Sequence, residues 1–113
     1  MWKPRMSYEK FEELEILADE YAQAEAERVY LTEFKKSKKA LLMQRHEGYQ
    51  KGISIAAQER EAYADEEYVE LLEGLKVATE KALSLKFKLD VMKMRFETWR
   101  TKQATLRAEM NLR

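Results

Sequence analysis

The stretch from Tyr68 to Met110 constrains this chain more than any other. One row of residues runs through it: Tyr68, Leu71, Leu75, Ala78, Ala82, Leu85, Leu89, Met92, Phe96, Trp99, Gln103, Leu106 and Met110. The steps alternate three and four without a slip, and only Gln103 is polar. Such a row lies along one side of an α-helix, and about six heptads of it make the a/d seam of a coiled-coil-type helix. No proline interrupts it, and Gly74 lies off the row. A seam of this length needs a partner of similar length, because packing of the apolar face supplies most of a helix's stability.

The partner is present in the same chain. Ser7 is a candidate N-cap, and the acids Glu9, Glu12 and Glu13 sit in the first turns, where the helix dipole favours anions. The helical pattern then runs unbroken, so helix 1 is expected over 7–47, roughly 60 Å long. Its apolar face reads Phe11, Leu14, Ala18, Ala22, Ala26, Tyr30, Phe34 and Leu41, mostly in steps of four. The small residues Ala18, Ala22, Ala24 and Ala26 are expected to face the large residues of the seam, since facing positions share a fixed volume.

The remaining signals punctuate this plan. Residues 1–6 form a flexible lead in which Pro4 disfavours helix before it, and Trp2 is either an anchor for a partner or folded onto the bundle. A loop is expected over 48–53, with Gly48 taking the left-handed position that ends a helix and Gly52 adding freedom. Ser54 should cap a short helix over 54–64, and Asp65 should cap helix 3 over 66–111, with a break or kink at Asp65. With 45% apolar and 37% charged residues, three glycines and one proline in 113 residues, one all-α domain over 1–113 is expected. Its architecture is a long antiparallel helical hairpin, coiled-coil-like, with a short intervening helix.

Charge selects the direction of pairing. Net charge is zero, but residues 7–33 carry nine acids against two bases, and 34–51 carry six bases against one acid. Residues 59–73 carry seven acids against one base, and 84–113 carry eight bases against three acids. An antiparallel hairpin sets each block against its opposite, whereas a parallel one sets like against like. Leu17, Leu31, Leu42, Leu72, Val77, Leu83, Phe87 and Val91 lie off the two main faces and also want cover. That points to a homo-oligomer, most simply a two-fold dimer with a four-helix core.

Several function classes recede. Without cysteine there is no disulfide, thiolate zinc site or thiol catalysis. No apolar run suits a signal core or a membrane span, so the expectation is a soluble intracellular protein without a membrane partner. His46 is the sole histidine and reads as a polar residue at a helix C-terminus. Glu12, Glu13, Asp19, Glu20, Glu25 and Glu27 read as a solvated face rather than a carboxylate centre. There is no phosphate loop, nucleophile motif or zinc spacing, so no enzyme, cofactor or metal is expected.

Two basic groups are the binding candidates. The first is Lys35, Lys36, Lys38, Lys39, Arg45 and Lys51, with Tyr49 in the loop placed to stack on a base. The competing reading is that these cations balance the acids of 59–73. The second is Arg95, Arg100, Lys102 and Arg107, beside Phe96 and Trp99. The two aromatics are seam positions that read as core, which leaves the cations for phosphate or an acidic protein surface.

Three segments in order carry a resemblance: Tyr21 to Glu27, Ala57 to Ala64, and Phe96 to Lys102 closing with Arg107 to Met110. Together, over about residues 15–112, they resemble a group of small helical proteins of bacteriophages and prophages that accompany single-strand annealing and DNA recombination. The resemblance implies a non-enzymatic accessory protein in the bacterial cytoplasm. Its partner would be a recombinase or annealing protein, or single-stranded DNA. A small phage inhibitor of a host defence or nuclease complex, with a host effector as partner, is the rival expectation, and a structural helical bundle is the third.

Overall fold

The computed structural model describes residues 5–112, so Trp2 and Pro4 lie outside the described residues, and of the expected flexible lead over 1–6 Arg5 and Met6 are already helical. The chain is all-α: α1 (Arg5–Tyr49), α2 (Ile55–Ala64) and α3 (Glu66–Asn111). Helix α1 begins at Arg5, so Ser7 lies inside it and is not its cap.

Local chemistry sets the two breaks. Gly48 remains helical, and the left-handed residue is Gly52 instead, at φ 87°. It is the third residue of a turn in which the Ile53 N–H donates to the Gln50 carbonyl at 3.4 Å, the position that takes positive φ in a type II turn. Ser54 caps α2, its hydroxyl accepting from the Ala57 N–H at 3.1 Å. Asp65 then takes an extended ψ of 134° and separates α2 from α3. One of its carboxylate oxygens accepts from the Glu67 N–H at 2.9 Å, and its carbonyl accepts from the Tyr68 and Val69 N–H groups.

The chain divides into two compact units. One, Ala24–Ala82, holds the second half of α1, all of α2 and the start of α3. Its core is Leu42, Ala62 and Tyr68, one residue from each helix, with Met43 packed against them. Here residues late in α1 meet residues early in α3, as an antiparallel pair requires: Lys38 and Arg45 both reach Glu67, and His46 reaches Asp65. The other unit joins the chain up to Gln23 with the chain from Leu83. It buries Leu85 and Leu89, half-buries Leu14, Leu17 and Ala18, and sets the Phe11 ring edge-on to Phe96 with centroids 4.6 Å apart.

The α3 row is the covered side of that helix. Every row position from Tyr68 to Gln103 is buried or half-buried, and Thr79 alone joins them from outside the row. Leu106 and Met110 depart from the expectation, since both are exposed. Helix α1 departs more. Ala22, Ala26, Tyr30 and Leu41 are exposed, while the covered row from Ala24 on is Ala24, Arg28, Leu31, Lys35, Lys38, Leu42 and His46. A step of four overshoots a full turn by about 40°, so a face built from such steps rotates away from its partner. As far as Leu42 the true row keeps the three-four alternation by passing through Arg28, Lys35 and Lys38, which are half-buried and can cover apolar surface with their long stems. Small does meet large at Ala18, which lines a groove together with Leu89, whereas Ala22 and Ala26 are exposed.

Charge acts unevenly. In the Ala24–Ala82 unit the basic and acidic blocks do pair, through Lys38, Lys39 and Arg45. In the other unit the described ion pairs are local, Lys10–Glu13 on α1 and Arg100–Glu97 on α3, and apolar contact joins the helices. No helix among the described residues is long and apolar enough to cross a membrane.

Candidate nucleic-acid interface

The first basic group is largely spent inside the fold. Lys39 Nζ donates to Glu59 Oε1 at 2.7 Å and lies 4.7 Å from the centroid of the Tyr63 ring. Lys38 donates to Glu67 Oε1 at 3.3 Å, and Arg45 to Glu67 Oε2. His46 Nε2 lies 2.9 Å from Asp65 Oδ2. The Asp65 carboxylate thus has two duties: one oxygen caps α3 and the other holds the C-terminal turn of α1.

These contacts move the titrations in consistent directions. Glu67 is held below the usual carboxylate value by Arg45 and then Lys38, and Glu59 by Lys39. Asp65 is lowered by the Glu67 N–H and then by His46. Lys39 is raised by Glu59 and then Tyr63, and Arg45 is raised chiefly by Glu67. Tyr68, in the core between them, is raised by burial. Lys39, Arg45, Glu59, Asp65 and Glu67 thus each favour the ionised form, as opposite charges in contact dictate.

Of the remaining members, Lys35 is half-buried on the α1 contact row, and Lys36 pairs with Glu33 at 3.4 Å. Tyr49 is exposed but is the last residue of α1, not a loop residue, and its ring stands edge-on to His46. Lys51 is exposed in the turn. The acids of 59–67 were the sequence signal that this group is internal. The pairing of His46 with Asp65 had no separate signal.

The second group is arranged differently. Phe96 and Trp99 stack with centroids 6.0 Å apart and an interplanar angle of 27°. Beside them is a pocket of about 190 Å³ lined by Leu14, Met92, Phe96 and Trp99, with Lys10, Glu13 and Arg95 also on its wall. Ligand sites usually span about 300–1,000 Å³, so this one admits a single ring or side chain. Beyond it, the α3 seam opens into a shallow face that includes Gln103, Leu106 and Met110, with Arg100 and Arg107 among them. Among the described residues Arg100 makes only an exposed pair with Glu97 at 3.3 Å, and Arg107 Nε donates to the Gln103 carbonyl at 3.4 Å. Lys102 is exposed at its edge. The structure brings Arg95, Arg100, Lys102 and Arg107 onto one stretch of helix beside two aromatic rings, and it adds Lys10, which the sequence reading passed over.

Among the described residues no group of three or more His, Cys, Asp or Glu side chains is placed to hold a metal. Compared with protein families, curated proteins and solved structures, the chain gives no match.

Proposed function

We propose that this is a non-enzymatic accessory protein of phage-type DNA recombination or replication, acting in the bacterial cytoplasm on single-stranded DNA and a protein partner such as an annealing protein. The carrying observation is the face at the end of α3, where Phe96 and Trp99 adjoin Arg95, Arg100, Lys102 and Arg107. Cations on a helix contact phosphates without reading sequence, and an aromatic face accepts a stacked base. The Lys35–Lys51 group contributes little to this reading, because Lys38, Lys39 and Arg45 already have carboxylate partners. The exposed apolar residues of α3 further support self-association.

The test is fluorescence anisotropy with a labelled single-stranded oligonucleotide across salt concentrations. Four phosphate contacts give a slope of roughly −3 for log K against log salt. Replacing Arg100 and Arg107 by Ala should about halve that slope, and replacing Lys36 and Lys51 should leave it unchanged. Absence of binding at low salt rejects the DNA reading.

A second reading has its own observation. Glu12, Glu15, Asp19 and Glu20 are exposed on α1 without an ion-pair partner among the described residues. An acidic face of this kind suits the basic channel of a host nuclease or defence complex. Recovery of such an effector in a pull-down, with no DNA affinity, favours the inhibitor. A protein that binds neither is a structural bundle.

A further inference from the structure

Helix α3 carries a second apolar row on the side away from its seam. Val69, Leu72, Leu83, Phe87, Val91 and Met94 are all exposed, Phe87 and Met94 by 63% and 62%. With Lys76 and Glu80 they occupy one row in steps of three, four and four, centred roughly 150° or more around the helix from the covered seam. Burial on one side is therefore complete while the other side stays apolar and open.

The charges along one edge of this row are ordered. Glu66, Glu73 and Glu80 are followed by Lys88, Arg95 and Lys102, at spacings of seven or eight residues. None of the six has an ion-pair partner among the described residues, unlike the acids and bases of the α1–α3 junction. An edge that is acidic first and basic last complements itself only when reversed. Against a parallel copy, each acid would face an acid.

We infer that the outer face of α3 is a homodimer interface in which a second copy of this helix packs antiparallel at one fixed register. This deepens the self-association part of the functional reading and is independent of nucleic acid. The register follows from the charged edge. Glu66 faces Lys102 of the second copy, Glu73 faces Arg95 and Glu80 faces Lys88, with Ser84 beside its own symmetry mate. The two apolar rows then overlap from about residue 74 to Met94. The opposite edge carries Lys86, Asp90, Lys93 and Glu97, two of each sign, and imposes no preference. Arg95 and Lys102 belong both to this edge and to the nucleic-acid face, so DNA competes with the second copy for them.

The experiment uses the full chain without nucleic acid. Light scattering gives the mass, and spin labels on Ser84→Cys and, separately, on Thr105→Cys give the distance between the two copies; the absence of native cysteine keeps the labelling clean. The expected result is a dimer with the Ser84 labels close together and the Thr105 labels about 60 Å apart along the helices. A monomer at high micromolar concentration overturns both the interface and the self-association reading. A dimer with short distances at both sites, or a long one at Ser84, overturns the antiparallel register while leaving self-association standing. Glu80→Lys and Lys88→Glu should each weaken the dimer about tenfold, and the two together should restore it. No weakening by either single change overturns the charge ladder.

Discussion

Leu41 and Leu42 are adjacent, chemically identical, and assigned opposite environments. Leu42 is fully buried at the meeting of α1, α2 and α3, whereas Leu41 is 55% exposed. Replacing Leu42 by Ala removes three carbons from the core. At about 0.8 kcal/mol each, the transfer loss is about 2.4 kcal/mol, and the cavity left behind raises it to about 3–4 kcal/mol. A chain of this size is stable by roughly 6–17 kcal/mol, so the loss is a large fraction of the total. With a urea m-value of about 1.5 kcal/mol/M, the midpoint should fall by about 2 M. The same change at Leu41 should cost about 0.5 kcal/mol or less, as for other surface substitutions. Leucine and alanine have similar helix propensities, so the difference between the variants reports burial alone. Urea unfolding followed by circular dichroism measures both. A Leu41→Ala loss equal to or larger than that of Leu42→Ala would refute the assigned rotation of α1, and with it the row through Arg28, Lys35 and Lys38.

Other expectations follow from the junction and the glycines. Glu59, Asp65 and Glu67 titrate below their ordinary values of 4.5, 3.8 and 4.5. The unfolded chain therefore takes up protons first as pH falls, so their stabilisation is complete above those values and is lost as pH drops through the lowered ones. Urea midpoints should fall steeply in that window, and Glu67→Gln should be weaker than the parent near neutrality but equal to it in acid. Lys39 behaves in the opposite sense: its contribution is present below its ordinary value of 10.5 and persists past it, disappearing only at more alkaline pH. Lys39→Met should therefore be less stable than the parent at neutral pH, with the gap closing only in strong alkali. Gly48 and Gly74 are helical with no atom within 4 Å of an added Cβ, so changing either to Ala should stabilise by about 1 kcal/mol in thermal melts. Gly52→Ala should destabilise instead, because φ is positive there.

The sequence alone determined those features that rest on short-range rules. The seam of α3 was legible because its residues are apolar at almost every turn, and periodicity is then a direct record of burial. Ser54 and Asp65 were legible as breaks because a hydroxyl or carboxylate at a helix start satisfies N–H groups only a few residues away. The antiparallel direction was legible in the charge blocks, although among the described residues only the Ala24–Ala82 unit uses them as ion pairs between helices. Tertiary structure alone decided the rotation of α1. Its contact row includes one arginine and two lysines, whose stems can cover apolar surface, so hydrophobicity does not mark the row. It also decided which cations remain outside. Lys38, Lys39 and Arg45 look like the stronger binding patch in sequence, but Glu59 and Glu67 reach them only once the chain has turned back at Gly52 and Asp65. Pairing between groups some twenty to thirty residues apart depends on how helices are placed, and no local pattern encodes that placement.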